Sequence, residues 1–283
     1  MELKELEVIV NRMPQSKFIE VSFNSRIAET FTESQPVALT ISWQWVLAKI
    51  TEDLIARDSK GVLKLLFSDL DYVKLNGNAV EDVRSLVRQS VDETTFSTIQ
   101  AKIASLQELM SEYLAHPKTT RPRLNRLINE SNFIIEELKN LEVVGVGAFM
   151  LASGFHLALL QEKASSDLTE WSHVKYWAIE YSQYAASVTP RLFRLSVGLI
   201  DKACQCTKWE PESEGARGIT EYECRYSDGK DIHLFRAISP DAEIECNKHR
   251  LQMFQTVVDK VNQTAAQPVR TALKQWRNMA ASI

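Results

Sequence analysis

The chain has 283 residues, 45% of them hydrophobic and 25% charged, with a formal net charge of −4. That length supplies a full core without metal or disulfide help, and the balance carries no basic excess of the kind that marks a nucleic-acid footprint. Nine Gly and eight Pro are too few for a turn-rich, all-β chain.

The N-terminal stretch MELKELEVIVNRM has acids among its first residues and only a four-residue apolar run. It does not read as a secretory signal, and the expectation is a protein kept in the producer's cytoplasm that acts outside after release. Residues 24–32 suggest a short helix, with a turn marked by Pro36. From Ile41 the spacing of Ile41, Trp45, Val46, Ile50, Leu54 and Ile55 predicts an amphipathic helix. A second segment, Val62–Tyr72, carries Leu63, Leu65, Leu66, Phe67 and Leu70, and the tract Leu75-Asn76-Gly77-Asn78 is expected to close it as a turn.

Asn78 and Glu81 have capping-box spacing, which predicts a helix opening there. Val80, Val83, Leu86, Val87, Ile99, Ile103, Leu106, Met110 and Tyr113 extend its stripe toward His116 and Pro117, giving one rod of about 55 Å. The next helix, 123–142, has an apolar face of Leu124, Leu127, Ile128, Ile134, Ile135, Leu138 and Leu141. Asn125, Arg126, Asn129, Asn132, Glu136, Lys139 and Asn140 occupy its opposite face.

The run VVGVGAFMLASGFHLALLQEKA follows almost at once. From Val143 to Leu160 it holds eighteen residues and no formal charge. As a helix over 143–162 it is apolar all round, which requires burial on every side, in a protein core or in lipid. Eighteen residues give about 27 Å, slightly under the hydrocarbon thickness of a bilayer. Gly145, Gly147, Ala152, Ser153 and Gly154 suit close approach of a neighbouring helix. His156 reads either as a buried neutral imidazole bonded to a neighbouring helix or as a pH-sensitive residue of an inserting helix.

Beyond it, Val174, Trp177, Ala178, Tyr181, Tyr184 and Val188 mark a further helix. Pro190 is expected to kink or interrupt it, and helix is expected again from Leu192 to Cys204. Gly218–Tyr226 and Asp231–Ala237 alternate about Ser227-Asp228-Gly229-Lys230, a hairpin signature. Helices follow Pro240 and Pro268.

The fold class is therefore all-α: an antiparallel bundle of six to nine helices around a central hydrophobic helix, with a small β-hairpin insertion. One domain over 1–283 is expected, with an N-terminal segment (1–44), a bundle core (45–205), a cysteine-containing hairpin insertion (206–240) and C-terminal helices (241–283).

No nucleophile elbow, Walker loop, dinucleotide fingerprint or zincin motif is present, so no catalytic residues, cofactor or metal site are predicted. The five histidines are widely spaced. Cys204, Cys206, Cys224 and Cys246 leave three readings open: two disulfides pinning the hairpin, free thiols, or a zinc site with unfavourable spacing.

The segment Ala148–Ala164, AFMLASGFHLALLQEKA, resembles the central fifth helix of the insecticidal three-domain Cry δ-endotoxins. Val83–Pro117, Arg123–Leu138, the Tyr176–Tyr184 region and His249–Val261 are similar to that family's third, fourth, sixth and seventh helices, in the same order. The resemblance implies the family's N-terminal pore-forming bundle, whose fourth and fifth helices enter gut-cell membranes and oligomerise. Membrane-insertion residues would then be Val143, Val144, Val146, Phe149, Met150, Leu151, Phe155, His156, Leu157, Leu159 and Leu160. Asn125, Asn129, Asn132, Glu136 and Asn140 would line the pore. The implied partners are a target-cell membrane, further copies of the chain, and a protein receptor or second toxin component. The family's two β-rich domains are missing, and Pir-type binary toxins, whose larger component resembles the same bundle, make a partner subunit plausible. The alternative is a non-enzymatic helical interaction module, or a binary-toxin component without pore activity of its own.

Overall fold

A computed structural model describes residues 42–115, 121–209 and 220–283, all within one unit, Ile41–Ile283. The expected helix at 24–32, the Pro36 turn, His116 with Pro117, and Gly218–Ile219 lie outside the described residues. The described chain is mostly helical, with a small three-stranded antiparallel sheet.

Helix α1 (Trp43–Ile55) starts where the Ser42 hydroxyl accepts the Trp45 N–H. Helix α2 (Ser59–Lys64) is capped by Asp58 and runs into a π-turn at Leu65–Asp69. Helix α3 spans Tyr72–Val87, and this corrects the sequence reading twice. Leu75–Asn78 is not a turn, and Asn78 caps nothing. Asp71 is the cap, its carboxylate accepting the Lys74 N–H. Burial overrides local composition here: Tyr72, Leu75, Asn76 and Ala79 all face inward, and the Asn76 side-chain amide donates to the Tyr72 carbonyl.

The expected 55 Å rod is two helices. Arg88 adopts a left-handed φ of 48°, and α4 (Glu93–Ala115) begins afresh after Asp92. The Asp92 carboxylate accepts from the Thr94 N–H and the Thr95 hydroxyl, meeting donors that a new helix start leaves open.

Helix α5 (Arg121–Asn140) turns through Leu141–Gly145 into α6 (Val146–Ser166). Val143 and Val144, expected in the helix, sit in that turn, where Glu142 has φ 49°. At Gly145 a Cβ would stand 2.5 Å from the Leu138 carbonyl oxygen, so only glycine fits the turn.

Helix α7 (Trp171–Val197) is continuous through Pro190, so of the expected kink or interruption the interruption does not occur. Nor does helix continue to Cys204. Asp201 exchanges hydrogen bonds with Ser227 at the end of the hairpin, which draws the chain out of the helix. Strands β1 (Gln205–Trp209), β2 (Glu221–Ser227) and β3 (Ile232–Ile238) follow. The hairpin is as expected and β1 is an addition, pairing Cys206 opposite Cys224. Helix α8 (Asp241–Val261) covers the sheet's inner face, and a π-turn at Asn262–Ala266 leads to α9 (Gln267–Ala281), with Pro268 in its first turn.

All four cysteines are paired. Cys206–Cys224 joins β1 to β2, and Cys204–Cys246 ties the start of β1 to α8, with Cα atoms 4.0 and 6.3 Å apart. Of the three readings of these cysteines, the structure takes the two disulfides. Ile200, Cys224, Tyr226, Ala242 and Cys246 form a small core beneath the sheet, joined by Phe235, Met253, Phe254 and Val257.

Candidate functional site

The site with the most distinctive physical character is α6 and the helix that leads into it. Every residue from Val143 to Gln161 is buried, and the first charge after them is Glu162. Helix α6 touches α1, α2, α3, α5 and α7, and its side chains also reach α9. Small residues set the distances. A Cβ on Gly147 would come within 3.2 Å of Ala79 and 3.3 Å of Trp43. One on Gly154 would meet the Ile50 methyl at 2.6 Å and the Trp276 ring at 3.6 Å.

Aromatic contacts line two sides. Phe155 lies 4.8 Å from Phe67 and 6.0 Å from Tyr72 between ring centres. Phe149 lies 4.5 Å from Tyr184 and 5.8 Å from Tyr181. Among the insertion residues named from sequence, Val146, Phe149, Met150, Leu151, Phe155, Leu157, Leu159 and Leu160 are thus core side chains of the folded state.

Among the described residues, His156 is the one imidazole in this core. The Tyr181 hydroxyl shares a 2.6 Å hydrogen bond with its Nδ1, and Trp177 meets its ring edge-on at 5.5 Å. Burial pushes the His156 pKa from an ordinary 6.5 down to about 3, so the ring is neutral at pH 7. Burial, with the Glu136 charge adding to it, raises Tyr181 well above the usual phenol range, so the pair carries no net charge. Near the far end, the Gln161 amide donates to the Leu54 carbonyl and the Met279 sulfur. Ser153 Oγ, Gln161 Oε1, Trp43 Nε1 and Trp276 Nε1 have no hydrogen-bond partner among the described residues. The core around α6 is apolar rather than a polar network.

Helix α5 presents the opposite character. Leu124, Leu127, Ile134, Ile135 and Leu138 are buried. Asn125, Asn129, Glu136 and Asn140 are exposed and Asn132 is half-buried, all on one stripe at three- and four-residue spacing. This is the face named from sequence as pore-lining, and it meets solvent. Two side chains of α7 tie down the α5–α6 turn: Arg191 makes an exposed ion pair with Glu142 at 2.6 Å, and the Tyr184 hydroxyl donates a part-buried hydrogen bond to the Lys139 carbonyl. An exposed ion pair such as Arg191–Glu142 contributes under about 1 kcal/mol.

No family model, curated protein or solved structure matches the chain.

No described helix is long and apolar enough to cross a membrane, and no described group of side chains has the composition and spacing to hold a metal ion. The uncharged helical part of α6, Val146–Gln161, would span about 24 Å, against roughly 30 Å of hydrocarbon. Rewinding Val143–Gly145 into the helix would add about 4.5 Å.

Two features escaped the sequence reading. The Tyr181 partner of His156 lies 25 residues away on α7, and nothing local links the two. A basic groove between α7 and α9 went unnoticed because its residues are spread over two helices. Its trace in the sequence is that α9 carries Arg270, Lys274 and Arg277 and no acid.

Proposed function

We propose that this chain is a pore-forming protein of the δ-endotoxin type, stored as an antiparallel helical bundle around α6 and inserting its α5–α6 hairpin into target-cell membranes. The observation that carries the reading is the unbroken burial of nineteen uncharged residues, Val143–Gln161, next to a helix with a solvated Asn-rich stripe. Burial among helices and burial among lipid tails satisfy the same side chains, so a hairpin of this kind can exchange one environment for the other. In lipid, α6 would face acyl chains or neighbouring helices, while the Asn125, Asn129, Asn132, Glu136 and Asn140 stripe would face water. Recruiting Val143–Gly145 into α6 would bring the apolar length to about 28 Å, close to the hydrocarbon thickness.

The resemblance of Ala148–Ala164 to the fifth helix of the Cry toxins supports the same reading and suggests insecticidal action. The two disulfides fit a folded form that works outside a reducing cytosol. Several copies would assemble around a pore, with a receptor or second toxin component as a further partner. Release of an encapsulated dye from liposomes at pH 7 and pH 4.5 tests the proposal. Leakage is expected, stronger in acid, and its absence at both pH values would overturn the reading.

A second reading is an interaction module without membrane activity. It is favoured by the exposed side chains Ile232, Leu234 and Ile238 on edge strand β3, with Ile244 and Leu251 on α8. It predicts complex formation with a protein partner and no leakage.

A further inference from the structure

A groove of about 340 Å³ runs between α7 and α9, lined by Thr189 and Pro190 on one side and by Arg270, Lys274, Arg277 and Asn278 on the other. Its three cations recur at four- and three-residue spacing, so they share one face of α9. No carboxylate among the described residues pairs with any of them. Their contacts are neutral. Arg270 donates to the Asn262 side-chain oxygen at 3.3 Å and lies over the Phe193 ring at 5.3 Å, and Arg277 donates to the Ser182 carbonyl.

Arg270 is the informative member. It is half-buried, and loss of water lowers its pKa from the usual value. Taking a guanidinium out of water is unfavourable unless an anion compensates it, and the described fold supplies none. Lys274 and Arg277 are exposed, so the row stays open to a ligand arriving from solvent.

We infer that the α7–α9 groove is a binding site for a phosphate group, held by Arg270, Lys274 and Arg277 with the Asn278 amide beside them. Two planar guanidinium forks and an ammonium suit the oxygens of a phosphate, and they favour it over a monovalent carboxylate by charge. The phosphate can come from a soluble compound or from a lipid headgroup. The inference does not depend on insertion of the α5–α6 hairpin.

The test uses the full chain, a variant R270Q/K274Q/R277Q, and a control K175Q/K230Q/K248Q that removes the same charge from exposed positions elsewhere. Inorganic phosphate is titrated while the unfolding midpoint is read. Flotation is measured with vesicles of phosphatidylcholine alone and with added phosphatidic acid. Circular dichroism verifies that each variant is folded. A midpoint rise with phosphate in wild type and control, lost in the groove variant, assigns a soluble phosphate. Flotation only with phosphatidic acid, weakened roughly tenfold or more in the groove variant and not in the control, assigns a lipid headgroup. Either result should weaken with added salt. No response to either probe, or equal responses in the groove variant and the control, overturns the inference.

Discussion

Acid should loosen α6 through one residue. In the folded state His156 holds a pKa of about 3, against 6.5 when the chain is unfolded. Between those values the unfolded chain binds a proton that the folded chain refuses. The stabilisation is therefore complete above pH 6.5 and falls away as pH drops toward 3. From pH 7 to pH 4.5 this linkage removes about 2.5 kcal/mol, a large share of an ordinary stability. The comparison is wild type against H156L/Y181F, which removes both partners of the buried hydrogen bond and is expected to be nearly neutral at pH 7. Urea unfolding without reductant, followed by circular dichroism at both pH values, gives the answer. With a slope on the order of 3 kcal/mol/M, the wild-type midpoint should drop about 0.8 M further than the variant's. Y181F alone strands the imidazole nitrogen and should cost about 1–3 kcal/mol at pH 7. Equal acid shifts in wild type and the double variant would refute the reasoning.

Gly154→Ala runs against helix propensity. In an open helix alanine would gain up to about 1 kcal/mol, but here its Cβ would meet the Ile50 methyl at 2.6 Å. The expected result is a net loss of about 1–3 kcal/mol by urea unfolding, and a gain would show that the α1–α6 contact yields. Removing the outer disulfide in C204A/C246A frees a loop of 42 residues, shortened by the inner bridge. The expected cost is about 3–4 kcal/mol, confined to the β-sheet and α8, with the helices around α6 retaining their hydrogen-exchange protection.

What could be read without coordinates was periodic and local. Helix α5 shows its two faces in the spacing of Leu124, Leu127, Ile134 and Leu138 against Asn125, Asn129 and Glu136, and the structure keeps both faces. The run from Val143 had to be buried, and it is. The strands flanking Asp228-Gly229 were legible from alternation; β1 was not, because five exposed or half-exposed residues need β2 and a disulfide to become a strand.

Errors fell where a tertiary contact outweighed a local signal. Asn76 and Gly77 look like a turn, yet burial of Tyr72, Leu75 and Ala79 carries a helix through them. The rod from 79 to 116 overlooked an interval, Arg88–Thr95, in which the apolar stripe lapses and Asp92 can cap. Pairings such as His156 with Tyr181, or Arg270 with Phe193, join helices by topology and leave no mark in either segment.

The most direct test of the account is whether α5 must leave α4 for the protein to act. Lys102 on α4 and Glu137 on α5 approach to 3.4 Å, and all four native cysteines are paired. K102C/E137C can therefore be bridged by a short bis-maleimide and compared with the same variant capped by a mono-maleimide. Dye release from liposomes at pH 4.5 is the readout. The account predicts leakage from the capped protein and none from the bridged one, with matching circular dichroism. Equal leakage from both would contradict it.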